Sequence, residues 1–380
     1  MSHDVVVIGA GSVGLPLAYF LSLLGTKVLV LDKNRSPGQG ENKAAIGGVR
    51  ASHSEPVKIL AAKRSIEILS ELKLDEELEY KRGGYLFVAR SESALGSMKT
   101  AHKVLNRFGV PSSILKPDDL SRVVPGINRS LYCGALFSPR DINISPLKTA
   151  YMFYRRARDL GARFEFSRAV TGFRLNGERI QSARTENGEY RGAVFVLANG
   201  AGITETGKAL GLDVPVHSDS HEAGITAPYR PVLGPMFVDT GADDDRISRT
   251  FYFTQNGVGA FIFCYTPYTS LYGKHATSLF GPTIARRMIG AIPSLKNVYV
   301  RRTWRGYYPN TPDGVPIADR VRDYKNLYIL GGMCGQGVML GPGLAESFAH
   351  YIVQGTSLFP EEHFKALSFY REFKNEELLR

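Results

Sequence analysis

The apolar and polar positions of the chain divide it into alternating short strands and helices. Val5-Val6-Val7-Ile8 is a continuous apolar run ending at Gly9, and Val28-Leu29-Val30-Leu31 is a second run ending at Asp32. Runs this short, bounded by turn residues, predict strands buried on both faces. Between them, 15–24 is apolar at helical spacing, and helical periodicity returns at 55–72 and at 146–160, where Ser145 is a candidate cap before Pro146. Further strands are predicted over 84–89, 162–166, 169–175 and 193–198, with a hairpin turn at Asn176-Gly177. From 215 to 272 aromatic and β-branched residues dominate, including Phe251-Tyr252-Phe253 and Phe261-Ile262-Phe263 around a Gly-containing turn, which predicts an antiparallel sheet. A helix over 283–292, strands over 297–303 and 327–330, and a second Gly-rich entry to a helix over 331–343 complete the pattern.

The connection between the first two strands carries the chemistry. Gly9-Ala10-Gly11-Ser12-Val13-Gly14 links strand to helix, and Asp32 closes the next strand, 18 residues beyond Gly14. In such a unit Gly9 permits the tight turn, Gly11 lets backbone approach a pyrophosphate, and Gly14 lets helix and strand pack closely. The N–H groups at the helix start face the phosphates, and the acid accepts from ribose hydroxyls. The expectation is a bound adenine dinucleotide on an α/β fold, a Rossmann-type FAD-binding domain interleaved with an antiparallel-sheet α+β substrate domain. The boundaries read as 1–80, 141–212 and 306–380 for the first domain and 81–140 and 213–305 for the second.

Composition narrows this picture. With 380 residues, 43% of them hydrophobic, the chain can bury a large core. The first strand begins at Asp4 or Val5, leaving no room for a signal sequence, and no apolar run reaches the roughly 18 residues of a membrane span, so a cytoplasmic globular protein is expected. Cys133, Cys264 and Cys334 are widely spaced without metal-ligand clustering, so no metal site is expected. The net charge of +11 is scattered over short groups such as Arg155-Arg156 and Arg301-Arg302 rather than gathered in a tract. This argues for solvated surface over nucleic-acid binding and allows at most a peripheral membrane contact.

In this setting the chain resembles the flavin-dependent D-amino-acid oxidase superfamily, and within it the branch of glycine oxidase, sarcosine oxidase and the β subunits of sarcosine oxidase and dye-linked L-proline dehydrogenase. The resemblance rests on the 9–14 turn, Ala45-Ile46-Gly47-Gly48-Val49-Arg50, Gly83-Gly84-Tyr85-Leu86, the hairpin with Val170, and Leu197-Ala198-Asn199-Gly200-Ala201. It extends to Trp304-Arg305-Gly306-Tyr307-Tyr308, Thr311-Pro312-Asp313-Gly314 and Gly331-Gly332-Met333-Cys334-Gly335-Gln336-Gly337. Membership implies FAD, with adenosine near Asp32, Lys33 and Val170 and pyrophosphate over Gly9, Gly11, Ser12, Val13 and Gly14. Lys43, Ala44, Ile46, Gly47, Gly48 and Val49 would line the isoalloxazine together with Gly335, Gln336, Gly337 and Val338, and Asn199 and Gly200 would adjoin the cofactor. A cysteine to which sarcosine oxidase attaches its flavin would align close to Gly306, so FAD is expected without that bond.

The resemblance implies oxidation of an amino acid C–N bond, the substrate being a secondary amine such as sarcosine or proline, or glycine. Two carboxylate clamps of the family are missing, since Tyr308 stands where glycine oxidase has arginine and Met339 where sarcosine oxidase has lysine. Arg50 is then the expected carboxylate anchor, because a guanidinium fork pairs with a planar anion. Tyr252, Tyr307 and Tyr308 are candidates to shape the pocket. Cys334 reads as a packing residue and His53 as a surface histidine. Electrons would pass to oxygen, a quinone or a partner subunit, and a hetero-oligomer with a second dehydrogenase subunit is implied as possible by the β-subunit resemblance. A hydroxy-acid or glycerol-phosphate dehydrogenase, a tRNA-modifying amine oxidase and a non-catalytic flavin subunit remain open alternatives.

Overall fold

The computed structural model describes residues 3–72, 78–241, 246–267, 273–374 and 379, so the stretches 242–245 and 268–272 of the predicted antiparallel sheet lie outside the described residues. The first strand, His3–Ile8, lies at the centre of an eight-stranded sheet, parallel to Val28–Leu31 on one side and Gly188–Leu197 on the other. Its continuous apolar sequence has a direct cause. Val5 and Val7 pack into one core with helices Gly14–Leu23 and Gly337–Gln354, while Val6 and Ile8 pack into another with Phe173, Ile180 and Ile203 on the opposite face. A strand covered on both sides has no polar position to spare. The hairpin turn falls where predicted, joining Gly172–Asn176 to Arg179–Thr185, with Gly177 at a φ of 55°.

A second eight-stranded sheet runs in the order Val300–Asn310, His217–Pro228, Ala260–Pro267, Ser248–Gln255, Met236–Asp239, Tyr85–Ala89, Gly134–Ser138 and Ser113–Leu115. It is antiparallel except where Met236–Asp239 meets Tyr85–Ala89. Period-two alternation divides its side chains. Phe251 and Phe253 enter a core closed by helix Phe280–Ala291, whereas Tyr252 between them packs toward the first sheet. Leu86 and Val88 likewise face that helix, and Tyr85 and Phe87 face the first sheet.

Some elements differ from expectation. The strand predicted over 297–303 is Val300–Asn310, continuing through Trp304-Arg305-Gly306-Tyr307-Tyr308 because its residues pair along most of strand His217–Pro228. Helix Glu92–Arg107 was not predicted, although Ser91 caps it by accepting the Ala94 N–H at 3.2 Å. Ser145 precedes helix Pro146–Asp159 without a side-chain capping bond; its carbonyl accepts from the Thr149 N–H and hydroxyl instead. No helix among the described residues is long and apolar enough to cross a membrane.

Candidate active site

A cavity of about 790 Å³ is walled by both sheets, the Gly-rich turn, the 40–50 loop and the late 331–339 loop. The three glycines of the first motif do different things. Gly9 has a φ of 113° and a backbone pressed against Ala198 and Asn199, and a Cβ on Gly14 would overlap the Gly9 carbonyl. Gly11 has nothing within 4 Å of where a Cβ would stand, and it faces the cavity. Two glycines therefore close the protein on itself and one keeps room for a ligand. Asp32 is held by three donors: Oδ2 accepts the Ala10 N–H at 2.6 Å, and Oδ1 accepts the Asn34 N–H at 2.7 Å and its amide at 2.8 Å. A carboxylate offers about four acceptor sites, which leaves Oδ2 one lone pair toward the cavity that Asp32 lines.

The late loop is a run of left-handed residues, with φ of 63° at Gly332, 50° at Cys334 and 75° at Gly335. A Cβ on Gly335 would enter the Tyr308 ring. Cys334 is a strained exception to the glycine preference. Its N–H donates to the Pro309 carbonyl at 2.9 Å, and its sulfur sits 3.2 Å from the Gly332 carbonyl, so the thiol is a structural fixture of the loop. Helix Gly337–Gln354 then begins at the cavity wall with no side-chain cap at Gln336, aiming its N-terminal amides and the positive end of its dipole inward.

The cavity wall also holds buried polar atoms without a partner in the protein: Asn42 Oδ1, Asn199 Oδ1 and Gln336 Oε1. Leaving such groups unpaired is costly, so they mark a place where a hydrogen-bonding ligand belongs. With the open Gly11 backbone and the two helix N-termini, this donor and acceptor set fits an adenine dinucleotide carrying a flavin. Gly306 also lines the wall, and a Cβ there would stand 2.5 Å from that of Ala44, leaving no room for the larger side chain a covalent flavin link would need.

The residues expected at FAD line this cavity with three exceptions: Gly14, which packs as just described, Lys43, which is exposed, and Val49, fully buried in the core. Arg50, Tyr252, Tyr307 and Tyr308 line it too. Arg50 is buried above the Phe87 ring at 5.2 Å, and its guanidinium donates to the Ser52 carbonyl and to the Leu379 carbonyl, the latter at 2.7 Å. Tyr252 and Tyr308 share a hydroxyl hydrogen bond of 2.9 Å, and burial pushes both phenols well above their ordinary range, so they are neutral. Cys264 beside them is pushed up to about 12 by burial and is no nucleophile. The backbone N–H of Tyr307 donates to Glu41 at 2.6 Å, and Lys274 joins the same carboxylate at 2.9 Å, tying the 40–50 loop to the second sheet.

His53 is a correction. It is not a surface residue but completely buried, with Nε2 3.2 Å from the sulfur of Met339, because the segment after Arg50 turns beneath the late helix. Sequence reasoning also passed over His221, Asp219 and Lys58, all of which line the cavity. The signal for the first two was present: His217, Asp219, His221 and Ala223 occupy alternate positions of strand His217–Pro228 and all reach the cavity, while Ser220 and Glu222 between them are buried on the other face. Among the described residues no group of His, Cys, Asp and Glu is placed to hold a metal ion.

Fold and cavity together define a dinucleotide-binding flavoprotein built from a mixed sheet with a parallel centre and a mostly antiparallel sheet. Residues 4–351 match the family of FAD dependent oxidoreductases, and the chain belongs to that family; it is an FAD-dependent enzyme. Among curated proteins it is 25% identical to mitochondrial sarcosine dehydrogenase of Mus musculus over 371 residues, 93% of this chain and 40% of that protein. It is 26% identical to sarcosine oxidase subunit beta of Arthrobacter sp over 366 residues, covering 92% and 87% of the two chains. The chain thus spans less than half of the first relative and most of the second. Among solved structures, L-proline dehydrogenase from P. horikoshii superposes with a TM-score of 0.90 at 27% identity, over 97% of both chains. Glycine oxidase from Geobacillus kaustophilus superposes with a TM-score of 0.87 at 18% identity, over 98% of this chain and 100% of the other.

Proposed function

We propose that this enzyme oxidises the C–N bond of an amino acid, a secondary amine such as sarcosine or proline, or glycine. The observation that carries this reading is the placement of a buried guanidinium, Arg50, and a neutral tyrosine pair, Tyr252–Tyr308, on the wall of the cavity that the dinucleotide turn also lines. The names of the relatives, sarcosine dehydrogenase, sarcosine oxidase and L-proline dehydrogenase, support the substrate class. In this reading segments 1–80, 141–212 and 306–380 hold FAD, and segments 81–140 and 213–305 face the substrate.

Bound FAD would supply the two-electron oxidant for the C–N bond, a hydride leaving a carbon bonded to the substrate nitrogen and the amine proton leaving to solvent as the substrate becomes an imine. The protein binds and orients. Arg50 offers its guanidinium to the substrate carboxylate, with Ser52 and Leu379 fixing its plane so that little rotamer freedom is lost on binding. The Tyr252 and Tyr308 hydroxyls hold the substrate against the cofactor face. The N-terminus of helix Gly337–Gln354 favours negative charge on whatever lies before it. The electron acceptor is oxygen, a quinone or a partner subunit, and assembly with a second dehydrogenase subunit follows the pattern of the β-subunit relative.

The test is anaerobic mixing of the FAD-loaded protein with N-methylglycine, L-proline, glycine and a set of 2-hydroxy acids, following the flavin band near ~450 nm. Bleaching by an amine is expected. Bleaching by hydroxy acids alone, or by nothing in the panel, overturns the reading.

A further inference from the structure

Away from the cavity, strand Arg163–Glu165 forms one edge of the first sheet, paired only with Val28–Leu31, to which it runs parallel. The carbonyl of Glu165 accepts the Asp32 N–H at 3.0 Å, so Glu165 turns its main-chain groups toward the sheet. Alternation then turns the N–H and C=O of Phe164 outward, where they have no partner among the described residues. Side chains alternate as well. Phe164 lies on the face covered by helix Pro146–Asp159, in a chain of rings running Tyr151, Tyr154, Phe164 and Phe166, with centroids 6.0, 4.8 and 6.2 Å apart in turn. That chain reaches the surface, since Tyr151 is 56% exposed and Leu147, one turn before it, 44% exposed. Arg163 and Glu165 point to the opposite face of the sheet. Arg163 is exposed and pairs with no acid among the described residues, and Glu165 pairs loosely with Arg168 at 3.7 Å.

We propose that this edge pairs with the same edge of a second copy of the chain, antiparallel about a two-fold axis through Phe164. An open edge is a template for another strand, and Arg163-Phe164-Glu165 is its own complement. Centred on Phe164, the pairing sets Arg163 against the partner's Glu165 and Glu165 against the partner's Arg163, and the two Phe164 residues exchange both of their outward main-chain hydrogen bonds. Opposite charges facing each other across a strand pair are favourable and like charges are not. Centring the axis two residues along, on Phe166, would set Glu165 against Ser167 and lose that match. A strand bearing only one sign of charge would satisfy one of the two residues and oppose the other, which favours a second copy over a uniformly acidic or basic partner. The first sheet then continues across the axis, and the two Pro146–Asp159 helices lie beside each other above it, covering Leu147 and Tyr151. Lys148 and Arg158 on the exposed side of that helix already pair with Glu79 at 3.0 Å and Asp159 at 3.4 Å, which reduces the like charge that two copies bring together. The inference is independent of which substrate the enzyme oxidises.

Sedimentation velocity of the FAD-loaded protein over a concentration series tests this. A dimer with a dissociation constant of about 10 µM or below is expected. Arg163→Glu and Glu165→Arg each set like charges opposite one another, and each is expected to raise that constant about tenfold or more. The double variant restores unlike pairs in the reversed order and is expected to return within about threefold of wild type. Flavin absorbance and a thermal melt check that each variant is folded. Phe164→Cys places a thiol on the axis, where the two Cα atoms of a hydrogen-bonded antiparallel pair stand about 5.5 Å apart, within the span of a disulfide. Mild oxidation is expected to link this variant into a covalent dimer, which Cys133, Cys264 and Cys334 of the wild-type chain do not give. Should a charge variant fail to fold, this cross-link decides. A wild-type chain still monomeric at about 100 µM overturns the proposal. So does a dimer that neither single reversal weakens, a folded double variant that recovers nothing, or a Phe164→Cys protein that does not cross-link.

Discussion

The dinucleotide cradle and the substrate face occupy one cavity but are built in opposite ways. The cradle comes from contiguous chain: strand, turn, helix and strand within residues 3–31, ending on a carboxylate locked by its neighbours Ala10 and Asn34. The proposed substrate face is assembled from single residues on separate elements, Arg50 from a loop, Tyr252, His221 and Tyr308 from three strands, and a backbone carbonyl at Leu379. The cradle is a property of a local motif, whereas the opposite wall of the cavity is a property of the sheet register.

The sharpest way to break this comparison is through the two kinds of glycine. Gly14→Val places a side chain into the Gly9 carbonyl, so the expected result is loss of FAD from the purified protein together with a lower melting temperature of the apoprotein. Gly11→Ala meets open space; the apoprotein should melt within about 2 °C of wild type while FAD affinity falls about tenfold or more, because only the ligand meets the new methyl group. Titration of apoprotein with FAD and thermal melts distinguish the two.

Next in size is a buried carboxyl beneath the substrate loop. Asp141 is fully buried, accepting from the Ala51 N–H and the Ser52 hydroxyl at 2.8 Å each, and desolvation raises it to about 6 from 3.8. Between those values the folded chain holds a proton that the unfolded chain has released. Stability from this group is therefore full below about pH 4 and is lost as pH rises through 6, a change of about 3 kcal/mol. Denaturant unfolding of wild type and Asp141→Asn across pH 4 to 7.5 should show that slope in the first and its loss in the second.

Arg50→Met probes the substrate face itself. The expected outcome is a rise of about a hundredfold in KM for carboxylate substrates, FAD still bound, and a stability loss of about 1–3 kcal/mol from the lost Arg50 bonds to the Ser52 and Leu379 carbonyls. A KM unchanged by this variant would mean that Arg50 serves only the backbone. The smallest effect belongs to the tyrosine pair. Tyr252→Phe and Tyr308→Phe should each cost about 0.5–1.5 kcal/mol in stability, and the double variant little more than either, since one hydrogen bond is shared.

The same contrast explains what could be read from the chain. Val5 to Ile8, Gly9 to Gly14 and Asp32 were legible because each acts on its sequence neighbours, and the alternation in Phe251-Tyr252-Phe253 already separated core from cavity. His53 was misread because its burial depends on Met339, 286 positions away. His221 was overlooked because a histidine among Ser220 and Glu222 looks like ordinary polar strand until the register with Gly306 sets it beside Tyr308. Helix Glu92–Arg107 hid in a segment read only as part of the second domain, though Ser91 and its mix of buried Leu95, Met98 and Leu105 carried the signal.

The bond from Arg50 to the Leu379 carbonyl spans 329 positions. During synthesis the cradle's first strand, turn and helix can emerge early, at the slow pace of translation, yet the guanidinium of Arg50 has only the nearby Ser52 carbonyl to meet until residue 379 has been added. A ribosome releasing this chain short of that residue would yield a protein with its dinucleotide motif in place and Arg50 held by Ser52 alone, so cofactor retention in a truncated product would say nothing about the placement of that guanidinium.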